Sequence, residues 1–431
     1  MRAAAVCACV AVLAACSAAT VFKSSAAAVS GPAEQWQVFV PYGDQVKSNF
    51  VFSPSGATGC TILQDQNDNA VVFCFKTSTG AKIFRASLGM FPVNTPQLTV
   101  TSDLVLVAAP TSVTALDATT GSQVWANQDV EASVAVVDTS VNGNGVAFVG
   151  YGPQALYGLA ANGTQVWSFN GQFGECSFFP TPIYNQNGTF LACARTLVGG
   201  FPAIFGFDVP TGSMLWFDYN QGNDPNPRWA DGQTLVYLKA NESEWVTTYV
   251  VDVRTGFPKW SWPTNMQHAT GTVLNGSIVV IGTWASTTAL SLADGSVMWA
   301  LPDPIDLTSE LSVPIPAGPN GDQLALFHLQ LSEHLEQSLR RVDPTTGTVL
   351  WNSTMNVNGA APWHYAAASN RLATRTPNYV YGYDFQTGVQ QWSQQVDEND
   401  FVAFTGNLAI ETRDLQVVLA FAIGPNSADR A

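Results

Sequence analysis

One short pattern recurs along this chain in a register too regular for chance: a glycine followed, four residues later, by a large aromatic ring. The pairs are Gly80 with Phe84, Gly121 with Trp125, Gly163 with Trp167, Gly212 with Trp216, Gly256 with Trp260, Gly295 with Trp299, Gly347 with Trp351 and Gly388 with Trp392. Successive glycines stand 39 to 52 residues apart. Asp precedes the glycine by four residues in five copies (Asp117, Asp208, Asp252, Asp343, Asp384), and Thr immediately precedes it in six. Asn162 and Asp294 take the Thr place in the other two. Each feature has a mechanical reason. Glycine supplies the positive φ that a tight hairpin needs, and Asp and Thr bond local backbone groups to hold the bend. The aromatic then lies on the returning strand. A ring repeated at one point of every unit is best read as a plug between neighbouring sheets, with its indole N–H on an acceptor. Phe84, Trp125, Trp167, Trp216, Trp260, Trp299, Trp351 and Trp392 are therefore expected to be structural docking aromatics rather than a sugar-stacking row.

Between copies lie two further strand-like runs, such as Thr270 to Leu274 and Ser277 to Gly282 after Trp260. Four short antiparallel strands per unit of this length is the spacing of a propeller blade, and no segment of useful length has a helical period. The fold class expected is all-β, a closed propeller of four-stranded antiparallel blades forming a single domain over residues 34–423. Three runs remain after the last motif, Phe401 to Thr405, Leu408 to Glu411 and Val417 to Ile423, and Gln35 to Val40 is an orphan strand near the start. Joining them would tie the two ends of the ring together and remove its exposed edge.

A strand ending in Asp-x-x-Thr-Gly-x-x-x-Trp resembles the tryptophan-docking motif of the pyrroloquinoline-quinone (PQQ)-like propeller repeat family, also called the quinoprotein alcohol dehydrogenase-like fold. The resemblance implies eight blades, or nine if the two chain ends complete one shared blade. It says less about chemistry, because the family holds both enzymes and cofactor-free scaffolds. An enzyme of this type would need an adjacent Cys-Cys pair, a Trp floor under the quinone, and Glu, Asn and Asp around calcium. This sequence has no adjacent Cys-Cys in its mature part, and no residue can be carried over as a calcium ligand or catalytic Asp.

The first residues, Met1-Arg2 and the apolar run Ala3 to Ala15, have the form of a secretory signal, which places residues 1–30 in a signal and short linker and 424–431 in a disordered tail. Leu13-Ala14-Ala15-Cys16 also resembles a bacterial lipobox, which would leave the mature chain lipid-anchored through Cys16. No transmembrane segment is expected in the mature chain. Of the remaining cysteines, Cys60 and Cys74 flank one turn-like stretch and Cys176 and Cys193 another, so disulfides are expected at Cys60–Cys74 and Cys176–Cys193, as suits an oxidising compartment. Asn162, Asn187, Asn241, Asn275 and Asn352 each open an Asn-x-Ser/Thr acceptor for a glycan.

A formal charge of −15, with no basic stripe, argues against nucleic acid as a partner. His268, His328, His334 and His364 are scattered without a metal-ligand spacing. Asp65, Asn67 and Asp68 resemble a fragment of a calcium loop without its downstream Gly and Glu. Glu310, Glu333 and Glu336 would pair only if the fold gathered them. Two insertions, Asn220 to Pro227 and Pro302 to Asp322, lengthen their units. The function expected is an extracytoplasmic, non-enzymatic scaffold that binds protein or glycan through a propeller face or rim loops, with no cofactor. A PQQ- and calcium-dependent dehydrogenase of alcohols or sugars and a carbohydrate-active propeller are the alternatives.

Overall fold

A computed structural model of the chain describes residues 34–39, 44–48, 50–90, 96–130, 135–138, 146–151, 155–170, 183–184, 189–195, 202–219, 226–230, 233–240, 245–264, 269–283, 285–302, 310–316, 324–330, 337–355, 364–368, 371–375, 379–396, 402–405, 408–413 and 417–422. These residues are strand and tight turn throughout, without a helix. They form nine antiparallel sheets. Numbered along the chain, sheets 1 to 8 span residues 45–90, 97–127, 135–170, 183–219, 226–263, 269–302, 310–355 and 364–395. Within each the strands pair in sequence order, the simplest meander.

Sheet 9 joins the two ends of the described chain. Val402–Thr405, Leu408–Arg413 and Val417–Ala422 form three strands, and Glu34–Phe39 adds as the fourth along Val417–Ala422. The resemblance implies eight blades, or nine if the two chain ends complete one shared blade. Among the described residues the strands make nine sheets, because the orphan segment around Trp36 finds its ladder partner nearly four hundred residues away, with Trp36 opposite Ala420. Sheet 1 departs from four strands in another way. Its first strand is split into Gln45–Val46 and Val51–Phe52, both paired with Thr58–Gln64. At the break the Ser48 hydroxyl accepts the Ile62 N–H at 2.9 Å and the Ser48 carbonyl accepts the Thr61 hydroxyl at 2.9 Å, so side chains substitute for the interrupted ladder.

Why the middle strands are so apolar follows from how the sheets meet. A strand covered on one face alternates apolar with polar residues, whereas one covered on both reads as a continuous apolar run. Ile278–Thr283 is buried at every position. Val279 and Ile281 pack with Val236, Leu238 and Val250 of sheet 5, while Ile278 and Val280 pack with Leu324 and Val342 of sheet 7. The same division holds in sheet 2, where Val105 and Val107 face sheet 1 and Leu106 and Ala108 face sheet 3. Sheets 4 and 5 meet through Ile204, Leu235, Tyr237 and Val251. Sheet 9 contributes Ile410 and Val38 to a cluster with Leu63, Val71, Phe73 and Phe75 of sheet 1.

Cys60 and Cys74 face each other across adjacent strands of sheet 1 and are disulfide-bonded, fully buried in the cluster shared with sheet 2. Of the second cysteine pair, Cys193 lies in the strand Thr189–Arg195 and Cys176 lies outside the described residues.

Candidate functional site

The site the sequence singles out is the junction between consecutive sheets. The glycine turn always joins the third and fourth strands, and in every copy but that of Gly163 its N–H closes the bend by donating to the carbonyl four residues earlier, as Gly212 does to Asp208 and Gly347 to Asp343. All eight motif glycines have φ between 69° and 80°. That left-handed bend turns the fourth strand back along the third and sends the aromatic out of its own sheet.

The indole N–H of Trp167 donates to the Val209 carbonyl at 2.7 Å. Those of Trp216, Trp260, Trp299 and Trp351 donate to the carbonyls of Val253, Leu292, Pro344 and Phe385, each at 2.8 Å. Every acceptor is in the turn of the following sheet, three residues before its glycine. The ring itself lies flat on that glycine: Trp216 on Gly256, Trp260 on Gly295, Trp299 on Gly347, Trp351 on Gly388, Trp167 on Gly212, Trp125 on Gly163 and Phe84 on Gly121. The motif glycine thus does two things, bending its own hairpin and giving the preceding ring a surface without a Cβ. Trp392, which precedes sheet 9, is also buried.

A second contact was not legible from the repeat alone. Gly158, Gly206 and Gly382 stand across the ladder from Trp167, Trp216 and Trp392, and leave room for the indole over their own sheet. Ala115 and Ala289 take that place opposite Trp125 and Trp299. The signal for it was present as a small residue two positions before the motif Asp in Gly206-Phe207-Asp208 and Gly382-Tyr383-Asp384.

One junction breaks the rule. The Trp125 N–H is buried and has no acceptor among the described residues. The hairpin it meets is one residue shorter: Ala160 N–H pairs with the Thr164 carbonyl, where Asp208 pairs with Ser213, and Gly163 donates three residues back rather than four. The turn that should present a carbonyl is thus one residue short.

In five of the full-length turns the Asp four residues before the glycine is the hub. The Asp117 carboxylate accepts from the hydroxyls and N–H groups of Thr119 and Thr120 at 2.6 to 3.0 Å. Bonds from the Thr119 hydroxyl first, then from Thr120, hold this exposed carboxyl down at about 2. Ser296 lowers Asp294 and Thr345 lowers Asp343 in the same way. A depressed folded-state value stabilises the fold above the unfolded value near 4 and is lost as pH falls through the folded value. The account therefore expects thermal stability to fall progressively between pH 4 and pH 2, and Asp117→Asn to flatten that fall, as read by thermal melts at stepped pH. An unchanged acid slope in the variant would contradict it.

A polar bridge reinforces the junction of sheets 4 and 5. Asp218 accepts from the Tyr237 hydroxyl at 2.6 Å and pairs with Lys239 at 2.7 Å, and Tyr237 stacks on Tyr249. Burial, with the Asp218 charge beside it, pushes the Tyr237 phenol far up, so it stays a neutral donor. Where Phe84 replaces tryptophan, a cleft of about 730 Å³ opens between sheets 1 and 2, lined by Ala70, Ala86, Leu88, Pro110 and Thr114, with the exposed Met90 beside them.

Asp65 and Asn67 form a closed turn, with the Asp65 carboxylate accepting the N–H groups of Asn67 and Asn69. His328 and His364 lie on strands of sheets 7 and 8, Glu310 opens the first strand of sheet 7, and His268, His334, Glu333 and Glu336 lie outside the described residues, as does most of both insertions. Among the described residues no three His, Cys, Asp or Glu side chains gather as a metal site, and no helix is long and apolar enough to cross a membrane. A quinone carrying several carboxylates beside calcium needs cationic side chains, carboxylate or amide oxygens and a free indole face. The cleft beside Phe84 offers hydroxyls and the single amide of Gln123, and the docked indoles lie against glycine on the following turn. These residues do not fit that pair.

The model of the family described as outer membrane protein assembly factor BamB matches residues 23–262 and 335–420. The chain belongs to this PQQ-repeat family. The crystal structure of BamB from Moraxella catarrhalis is similar to it with a TM-score of 0.50 at 15% identity, covering 76% of this chain and 96% of that one. A eukaryotic initiation factor superposes with a TM-score of 0.58 at 14% identity over 85% of this chain and 90% of its own. Saccharomyces cerevisiae Sqt1 does so with a TM-score of 0.51 at 13% identity over 92% of this chain and 100% of its own. No curated protein matches the sequence. At such identities the solved structures speak to fold alone, and they agree on repeated antiparallel sheets.

Proposed function

We propose that the chain is a closed ring of nine blades serving as a non-enzymatic, extracytoplasmic scaffold for a protein partner. Membership of the BamB family supports the scaffold role. The observation that carries it is the fate of the conspicuous side chains: the repeated indoles and the turn carboxylates are spent on the neighbouring turn and on their own turn, not on a common cavity. Ring closure is supported by sheet 9, which is built from both ends of the described chain and packs through Ile410 on sheet 1. The buried Cys60–Cys74 bond and the signal-like Met1 to Ala15 segment support a place outside the cytoplasm, with Cys16 available for a lipid if its lipobox is used.

Calorimetric titration with PQQ and calcium, alongside dye-linked oxidation of simple alcohols, separates this reading from a dehydrogenase. The scaffold gives neither saturable heat nor turnover, and photo-crosslinkers placed at the two ends of the sheets capture one protein partner from one end only. Saturable binding with turnover overturns the reading.

A further inference from the structure

Two glycan acceptor triplets lie wholly among the described residues and in turns, and the docking contacts put both turns at the same end of the sheets. In an antiparallel meander, the connection between strands one and two and that between strands three and four emerge together. Asn162-Gly163-Thr164 is a three-four turn, in sheet 3. Asn275-Gly276-Ser277 is the one-two turn of sheet 6, and the Leu292 N–H of that sheet's docking turn donates to the Ser277 carbonyl at 2.8 Å. Because each aromatic reaches the docking turn of the next sheet, from Phe84 on Gly121 to Trp351 on Gly388, the docking turns of sheets 1 to 8 share one end.

Both asparagines are exposed. Asn275 has φ 50° with Gly276 at 57°, a tight exposed bend, and its amide has no partner among the described residues. The Asn162 side-chain Oδ1 accepts the Thr164 N–H at 3.1 Å, leaving its Nδ2 without a partner among the described residues. Asn352 differs, since it lies within the outer strand Val349–Met355 opposite Arg340. Asn187 and Asn241 lie outside the described residues.

We propose that Asn162 and Asn275 carry N-linked glycans, so that the docking-turn end is sugar-covered and the partner binds at the opposite end. This rests on the extracytoplasmic reading above. The donor is a polyprenyl-diphosphate-linked oligosaccharide. The Asn Nδ2 forms a bond to the anomeric carbon as the bond from that carbon to the diphosphate oxygen breaks; one amide proton is lost, the lipid diphosphate departs, and nothing is oxidised or reduced. The nearby hydroxyl of Thr164 or Ser277 completes the acceptor.

The test is expression of the full chain, with its own first residues and with a reporter acceptor triplet inserted ahead of Glu34, through a eukaryotic secretory pathway. Enzymatic release of glycans in heavy-oxygen water converts each occupied Asn to a labelled Asp that peptide mass spectrometry locates. Label at the reporter, Asn162 and Asn275 is the expected result. A labelled reporter with either turn unlabelled overturns the inference while leaving the extracytoplasmic reading intact. An unlabelled reporter shows that the chain does not enter the compartment, and overturns both.

Discussion

Trp216→Ala is expected to destabilise the protein by about 3–5 kcal/mol in urea unfolding, as deletion of a large buried ring does. Trp216 is 9% exposed, lies between Gly206 of its own sheet and Gly256 of the next, and donates to Val253 at 2.8 Å. Glycines on two sides have no side chains to collapse into the gap, so the cavity should persist. Loss of the donor also leaves the Val253 carbonyl unpaired, a separate cost of about 1–3 kcal/mol when such a group is buried. Phenylalanine isolates the second effect. Trp216→Phe should cost about 1–2 kcal/mol more than Trp125→Phe, because the Trp125 N–H has no acceptor to lose. Equal costs at the two sites would show that the indole bonds contribute nothing.

Gly256→Ala should destabilise by about 2–5 kcal/mol, and the sum has two sources. At φ 70° an L side chain meets its own backbone, at roughly 1–2 kcal/mol. The new Cβ would also stand 2.7 Å from the Trp216 ring, and overpacking of this kind costs about 1–3 kcal/mol. Gly89 is the control, since it has φ 91° but no atom within 4 Å of a built Cβ. Gly89→Ala should therefore show the backbone cost alone. If the two substitutions unfold at the same urea concentration, the ring contact is not what the motif glycine is for.

What could be read from the sequence depended on whether the physics was local. The Asp, Thr, Gly and Trp of a docking turn fall within nine residues, so their bend and bonds follow from short-range chemistry, and Cys60 and Cys74 lie on two strands of one hairpin. The Asp218 bridge to Tyr237 and Lys239 was invisible because it joins two sheets and obeys no repeat. The missing acceptor at Trp125 was not legible: the Gly163 copy lacks Asp at the fourth position before its glycine, but so do the Gly80 and Gly295 copies, whose turns keep full length. The choice between eight units and nine was left open for a long-range reason. Gln35 to Val40 and the three C-terminal runs were legible as strands in search of partners, but only the ladder between Glu34–Phe39 and Val417–Ala422 shows that they share one sheet.

A crystal structure of the mature chain, viewed along the axis of the sheets, is the most direct measurement of the central idea that indole-on-glycine docking closes the sheets into a ring. It should show nine radial sheets with Glu34–Phe39 completing the last, and Ile410 against Phe73 with no gap. Eight blades, or an open arc in which Ile410 faces solvent, would contradict the account.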